Sequence, residues 1–153
     1  GAELHLYGDG NEKESILQYL RDNPNCNIIY NGMIEPNEID KLMPTYDASL
    51  IPLTSNIYGA FPSKIFAAIS SGLPILFSGL GEGKSFVIEN DLGLVNDPNK
   101  YCDLVNNIKQ LMDLDKDEYV NYRFHILRKA KELCDYNLNN DYIYTSLKDI
   151  IND

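Results

Sequence analysis

Short apolar runs alternate, as far as Val95, with stretches in which apolar residues recur every three or four positions. The runs have the length and residue types of β-strands, and the periodic stretches have the pattern of amphipathic helices. The predicted strands are Glu3–Tyr7, Cys26–Tyr30, Asp47–Leu53, Pro74–Phe77 and Gly93–Val95. Strands that alternate with helices predict an α/β fold, here a Rossmann-like open parallel sheet with helices on both faces.

After Val95 the pattern is that of helices alone. Two amphipathic stripes predict two consecutive helices, and a third predicts a terminal helix, each with its apolar stripe towards the interior. The stripes comprise Tyr101, Leu104, Val105, Ile108, Leu111 and Met112, then Val120, Phe124, Leu127, Ala130 and Cys134, then Ile143, Leu147, Ile150 and Ile151.

Polar residues and prolines mark the ends of the first helices. Asn11 is placed to cap the first helix, and Asn23-Pro24-Asn25 ends it. Pro36 opens the second helix, and Pro44 should distort its end because proline cannot continue the helical hydrogen bonding.

The chain is organised around the stretch Tyr58–Ser78, which is predicted to be a loop, a short helix and a strand. Pro62 suits the first turn of the helix and Gly72 its end. Lys64 is unusual, because a cation in the first turn opposes the helix dipole unless an anion lies there. The backbone N–H groups of Ser63, Lys64 and Ile65 are predicted to lack intrahelical partners. The pattern therefore indicates a phosphate site, the alternative being an ordinary solvated lysine.

Four turns follow predicted strands and should lie at one edge of the sheet. They are 8–10, 31–34, 53–61 and 78–83. In open parallel sheets the ligand binds at the carboxyl ends of the strands. We therefore expect these turns to share one ligand-binding rim.

Composition narrows the possible partners. The 153 residues carry a formal net charge of −10, which argues against binding along a nucleic-acid backbone. The three cysteines have neither disulfide nor metal-ligand spacing and suit a reducing cytoplasm. No signal peptide or membrane-spanning run is visible. Since the chain opens almost directly on a strand, we expect a fragment of a longer protein.

The motifs in this order resemble the C-terminal, donor-binding domain of retaining GT-B glycosyltransferases, group 1. The resemblance covers nearly the whole chain. Its motifs are Gly8-Asp9-Gly10, Ile29-Tyr30-Asn31-Gly32 with Met33-Ile34, Asp47 to Pro52, Pro62-Ser63-Lys64 and Ser71-Gly72-Leu73-Pro74. The last two resemble the branch that builds bacterial surface polysaccharides.

The resemblance implies a nucleotide-sugar donor, bound as substrate with no separate cofactor. Its diphosphate would meet Ser63 and Lys64, with Ile65 beside them. The sugar would be bordered by Gly59, Ala60 and Phe61, the base by Gly32, Met33 and Ile34, and Gly8 and Gly10 would keep the rim open. The acceptor, a saccharide or a lipid-linked one, would be held by a separate N-terminal domain. The final helices would cross back towards that domain, and the whole enzyme could associate with the inner face of the membrane.

Two departures from the family pattern weaken the implied donor site. Family members usually carry two glutamates at positions that are Gly59 and Ala67 here. Neither side chain can accept a hydrogen bond from a sugar or ribose hydroxyl, so we expect low donor affinity. The loss of one charge-assisted hydrogen bond of this kind typically costs about 1.5–3 kcal/mol. The family's upstream Arg and Lys, which neutralise the diphosphate, are not in this chain.

Other polar residues have ordinary interpretations beside functional ones. Lys84 could reach a phosphate or simply be solvated, and Glu82 could contact a sugar or only complement the helix dipole. His5 is expected to be a strand residue, and His125 has no catalytic role. The alternatives for the whole chain are a nucleotide-sugar epimerase of the same two-domain plan, a degenerate interaction module and, more distantly, a flavodoxin-like receiver.

Overall fold

The computed structural model of the chain describes residues 1–53 and 61–134. These residues belong to two compact units, Gly1–Leu42 and Met43–Asp153, and in the second unit the structure describes residues 43–53 and 61–134. The predicted loop residues Gly59 and Ala60, and the predicted terminal helix with Ile143, Leu147, Ile150 and Ile151, lie outside the described residues.

The first unit contains a parallel strand pair and two helices. Strand β1 (Leu4–Leu6) pairs in parallel with β2 (Ile28–Tyr30), and helix α1 (Lys13–Asp22) connects them. Helix α2 (Pro36–Leu42) begins at the predicted proline. The strands are shorter than predicted, but their order and direction confirm the prediction.

The predicted cap of α1 is wrong. The capping position is held by Glu12, not Asn11, and no side chain caps the helix. The reason is a turn at the start of the helix, in which the Lys13 N–H donates to the Gly10 carbonyl at 3.1 Å. Because of this turn the helix begins at Lys13, so Glu12 and not Asn11 directly precedes it.

The second unit is a three-stranded parallel sheet with helices. It opens with a 3₁₀ turn, Met43–Thr45, whose Pro44 confirms the predicted distortion. The strands are β3 (Ser49–Pro52), β4 (Ile75–Ser78) and β5 (Gly93–Asn96), in the order β3-β4-β5. The helices are α3 (Lys64–Ser70), α4 (Glu82–Glu89), α5 (Tyr101–Met112) and α6 (Lys116–Cys134). The Rossmann-like α/β prediction is confirmed.

The core of the second unit lies around the central strand β4, whose Ile75 and Phe77 are fully buried. Helices α3 and α6 pack on each other and contribute the rest of the apolar core. The largest fully buried side chains are Phe77, Ile51, Ile65, Ile69, Leu73, Ile75, Leu92, Ile126 and Val87.

The end of α3 confirms the predicted stop at Gly72. Its φ of +65° is in the left-handed region that favours glycine. The Gly72 N–H donates to the Ile69 carbonyl at 3.0 Å, and the Leu73 N–H donates to the Ala68 carbonyl at 3.0 Å. This pair of bonds is a Schellman motif, which satisfies carbonyls at the end of the helix.

The predicted inward face of α6 is wrong for most of its residues. Ala130 is buried, but Val120, Leu127 and Cys134 are exposed, and 64% of the Phe124 surface is accessible. The buried face is centred instead on Ile126 and Ala130. Two apolar stripes run along this helix, and the one that faces the core also carries Arg123, a residue that periodicity alone would place outside.

The predicted face of α5 is only partly right. Leu104, Ile108 and Leu111 are half-buried, whereas Tyr101, Val105 and Met112 are exposed. The helix contacts β4 and β5. The half-buried residues form only a narrow stripe along the helix.

Candidate functional site

The segment that enters α3 carries the predicted phosphate-binding residues. Phe61 and Pro62 are half-buried, whereas Ser63 and Lys64 are exposed. The helix begins at Lys64, two residues after the proline that was predicted to lie in its first turn. Ser63 is the capping residue, but its side chain makes no capping hydrogen bond. Its hydroxyl therefore does not satisfy the first N–H groups of the helix.

Fewer backbone donors are available here than the sequence predicts. The Ile65 N–H donates to the Pro62 carbonyl at 3.0 Å, so the prediction that this N–H is available to an anion is wrong. The Ile65 side chain is itself fully buried in the core. Among the described residues, the N–H groups of Ser63 and Lys64 have no backbone acceptor. Helix α3 has only seven residues. We therefore expect the Lys64 side chain to contribute more to anion binding than the N–H groups of the helix.

Lys64 and Lys84 differ in their partners. Lys84 donates a hydrogen bond to the Asp97 carboxylate, with 2.6 Å between Nζ and Oδ1. Lys64 forms no ion pair with any residue that the structure describes. The predicted alternative for Lys84, a phosphate contact, would require it to leave Asp97. Lys64 is thus the exposed cation at this segment that is not already neutralised by a described carboxylate.

Three phenylalanines support the backbone just before Lys64. Phe61 packs edge-on against Phe86 with ring centroids 5.0 Å apart, and its centroid is 5.3 Å from that of Phe66. Gly83 allows the first turn of α4 to approach Pro62 and Phe77 closely. A Cβ at this position would lie 3.2 Å from Pro62 Cδ and 2.9 Å from Phe77 Cζ. The entry to α3 is therefore held against the first turn of α4.

A polar network closes the carboxyl ends of β4 and β5. Asn96 is 5% exposed, and its Nδ2 donates to Ser78 Oγ at 2.8 Å and to the Asp97 carbonyl at 2.9 Å. Asn107 donates to Asn96 Oδ1 at 3.4 Å. The sequence reasoning did not single out Asn96, although a polar residue at the end of an apolar strand was a usable signal.

A cavity of about 140 Å³ lies beside this network. Its lining includes Leu50, Pro52, Ser78, Asn96 and Tyr101, so it opens where three parallel strands end. Ligand sites of open α/β sheets lie at such ends. Its volume is well below the roughly 300 Å³ of a small-molecule pocket, so it would hold only part of a ligand.

In the first unit, the predicted glycine turns are joined by hydrogen bonds. The Gly8 N–H donates to the Gly32 carbonyl at 2.8 Å, and the Tyr30 hydroxyl donates to the Gly8 carbonyl at 2.6 Å. Gly8 and Gly32 have φ values of +120° and +77°. Nothing lies within 4 Å of a Cβ built at Gly8, Gly10 or Gly32. The structure thus leaves open space beside these residues. Met33, with 70% exposure, follows them, and Ile34 is half-buried.

The remaining polar candidates have structural partners. His5 on β1 lies 2.7 Å from a Glu3 carboxylate oxygen, and His125 on α6 lies 3.2 Å from the Asn90 carbonyl. Ala67, at one of the two positions where the family pattern has glutamate, is exposed on α3. Among residues 1–53 and 61–134, no three His, Cys, Asp or Glu side chains are grouped as metal ligands.

Comparison with known proteins gives one family and several similar folds. Residues 1–114 match the family model described as glycosyl transferases group 1. No curated protein sequence matches significantly. Among solved structures, HepE of Anabaena, in complex with UDP and glucose, superposes with a TM-score of 0.75 at 19% identity over 96% of this chain and 40% of that one.

Two further structures are similar. A mutant of TarM from S. aureus, in complex with fondaparinux, alpha-GlcNAc-glycerol and UDP, has a TM-score of 0.65 and 24% identity over 90% of this chain and 28% of that one. The pneumococcal O-GlcNAc transferase GtfA, in complex with UDP and GlcNAc, has a TM-score of 0.67 and 16% identity over 99% of this chain and 30% of that one. This chain therefore spans less than half the length of each of them.

The helices themselves give one further fact. No helix within the described ranges combines the length and the apolar character needed to cross a bilayer.

Proposed function

The chain belongs to the family of group 1 glycosyl transferases, and on that basis we propose that it is the donor-binding part of an enzyme that transfers a sugar from a nucleoside diphosphate. The similar folds of three proteins crystallised with UDP support this choice of ligand class. In this proposal, transfer proceeds with retention of configuration, as the resemblance implies, to a saccharide or lipid-linked acceptor in polysaccharide biosynthesis, at the cytoplasmic side.

The observation that carries the proposal is the ammonium group of Lys64, which has no ion-pair partner among the described residues. It is exposed, it lies at the start of α3, and no described carboxylate neutralises it. Its proposed role is to bind the donor diphosphate together with Ser63. As the bond to the sugar breaks, negative charge grows on the departing nucleotide, and a fixed cation stabilises that charge.

The other assignments concern the rest of the donor. Gly32, Met33 and Ile34 are proposed to contact the base. Phe61, with Gly59 and Ala60 before it, is proposed to border the sugar. The rigid packing of Phe61 on Phe86 supports its role as a wall, since a contact surface that is already ordered loses little entropy on binding.

Catalysis is proposed to need chain beyond this one. An acceptor domain and the family's upstream cations would complete the enzyme, and we expect the isolated chain to bind donor without transferring it. Affinity should be low, because no carboxylate is available at positions 59 and 67 for the sugar and ribose hydroxyls. Each lost charge-assisted hydrogen bond of this type removes about 1.5–3 kcal/mol of binding free energy.

A second candidate is a non-catalytic module that keeps the fold. The exposed alanine at position 67 favours it, because a carboxylate would be accommodated there without steric conflict, yet none is present. This candidate differs from the first in predicting no binding of any nucleotide sugar.

The test is calorimetric titration of the chain with UDP, GDP and their common sugar conjugates. We expect saturable binding of one nucleotide, weakened several-fold by Lys64→Ala. Lys109→Ala, an exposed lysine on α5, is the matched control and should bind as the wild type does. Equal affinity of the Lys64→Ala and wild-type chains would contradict the proposed site. The absence of binding at millimolar ligand, in both this chain and a longer one that includes the acceptor domain, would favour the non-catalytic module.

A further inference from the structure

One arginine from α6 lies beneath the C-terminal end of α3. Arg123 Nε donates to the Gly72 carbonyl at 3.0 Å, and its Nη2 donates to the Ser71 carbonyl at 3.2 Å. The same Nη2 donates to the Pro44 carbonyl at 3.1 Å. The guanidinium group thus connects the end of α3 with the 3₁₀ turn that precedes β3.

These contacts suit the chemistry of both partners. The last carbonyls of a helix have no intrahelical donor and carry the negative end of its dipole. A planar guanidinium group supplies several N–H donors in a fixed geometry, so one side chain can satisfy carbonyls from two segments together. Arg123 is therefore a C-terminal cap for α3 that is supplied by another helix.

A second contact from α6 strengthens the first. The Tyr119 hydroxyl donates to the Asp47 carbonyl at 2.9 Å, and the Arg123 guanidinium carbon lies 5.8 Å from the centre of the Tyr119 ring. Tyr119 thereby restricts the guanidinium group from one side. Its hydrogen bond also holds α6 against Asp47, which lies between the 3₁₀ turn and β3. Helix α6 thus holds the C-terminal end of α3, whereas the buried Ile65 and Ile69 hold its middle in the core.

We infer that Arg123 is a positioning residue for donor binding, an inference that rests on the function proposed above. Helix α3 has seven residues and so is about 10 Å long, with Lys64 at one end and the capped carbonyls at the other. Because so short a helix moves as one body, releasing its C-terminal end lets it pivot and displaces Lys64. Displacements of about 1 Å are enough to cost substantial function at a site.

The inference predicts a local effect that can be measured without ligand. In Arg123→Gln, hydrogen exchange should accelerate at the amides of Gly72 and Leu73, which close the end of α3. The amide of Leu92 closes the end of α4 in the same way, through the Val87 carbonyl, and should not change. Arg128→Gln, on the exposed side of the same helix, is the control variant. Arg123→Lys should restore the protection of these amides only in part, because an ammonium group cannot place its donors as the planar guanidinium group does.

The functional arm is a double-mutant cycle in nucleotide titrations. Arg123→Gln should weaken nucleotide binding several-fold, and the loss should largely vanish in a Lys64→Ala background, since the arginine acts through that lysine. A merely structural role would instead give the same loss in both backgrounds. If Arg123→Gln is too unstable to purify, Arg123→Lys is used in its place.

Two failures are distinguishable. Wild-type binding that is unchanged by Arg123→Gln, or a loss that adds fully to that of Lys64→Ala, overturns the positioning role while leaving the proposed function intact. If neither the wild-type chain nor a longer chain binds any nucleotide, the proposed function is wrong. The positioning role of Arg123 in donor binding is then wrong as well.

Discussion

Lys84 Nζ and Asp97 Oδ1 lie 2.6 Å apart and join the first turn of α4 to the residue that follows β5. The pair explains why two lysines that both follow loops in this chain are not equivalent. Lys84 is neutralised within the fold, whereas Lys64 has no described carboxylate beside it. A cation that already has a partner must lose it before it can bind a phosphate.

The Lys84–Asp97 pair should make stability depend on pH in a defined direction. The pKa of Asp97 is lowered below its ordinary value of 3.8, first by the hydrogen bond from Lys84 and then by the positive charge of Lys84. The pair therefore stabilises the folded state above that value, and this stabilisation is lost as the pH falls through the lowered pKa. Lys84→Met should unfold at lower urea concentration than the wild type at pH 7, and the difference should shrink towards pH 2.

Two controls accompany this experiment. Asp97→Asn should give the same result as Lys84→Met, because either change removes the pair. Nucleotide affinity should be unaffected by Lys84→Met. A difference between variant and wild type that persists unchanged at the lowest pH would show that the pair is not its source. Since both groups are at the surface, added salt should also reduce the difference.

Replacing Gly72 should destabilise the end of α3. Its φ of +65° is strained for an L-residue, and a Cβ would lie 2.8 Å from Leu127 Cγ. We expect Gly72→Ala to lower the free energy of unfolding by about 2 kcal/mol. Gly10→Ala is the control, because a Cβ there meets nothing within 4 Å. Denaturant unfolding of both variants checks this, and similar losses in the two would contradict the steric explanation.

The fold was more predictable than the faces of its helices. Strands buried within a parallel sheet are short apolar runs, so Pro74–Phe77 was found within one residue of β4. On α6, however, Phe124 and Ile126 belong to different apolar stripes, and periodicity cannot tell which one meets the core. The choice depends on Arg123 reaching carbonyls far away in sequence, a long-range contact that no local pattern encodes.

The candidate site was predictable in part for similar reasons. Lys64 and the turn at Gly72 could be identified because a misplaced charge and a glycine are local signals. The prediction that the Ile65 N–H is available to an anion was wrong, because this N–H donates to the Pro62 carbonyl in a turn that the sequence pattern did not indicate. Asp97, the partner of Lys84, follows β5 and is far from Lys84 in the sequence. The ion pair therefore could not be predicted from a local pattern.

Asn96 is expected to be important for stability at the ends of the strands. Asn96→Ala leaves Ser78 Oγ without its 2.8 Å donor and the Asp97 carbonyl without its 2.9 Å donor, in a buried environment. The cost should be about 1–3 kcal/mol in the free energy of unfolding. Asn106→Ala, at an exposed position of α5, should be neutral or slightly stabilising, since alanine is the better helix former. Equal stability of Asn96→Ala and the wild type would mean that the network contributes nothing net.

The orientation of α6 can be tested with two substitutions on its two apolar stripes. Ile126 is fully buried in the core, so Ile126→Ala removes well-packed methyl groups and should cost about 2–5 kcal/mol in urea unfolding. Phe124 has 64% of its surface exposed, and Phe124→Ala should change stability by no more than about 0.5 kcal/mol despite the larger side chain. The sequence pattern alone gives the opposite order, because it places Phe124 on the inward face. A larger loss at Phe124 than at Ile126 would therefore mean that the helix packs through the other stripe, and the Arg123 contacts with α3 would then also be wrong.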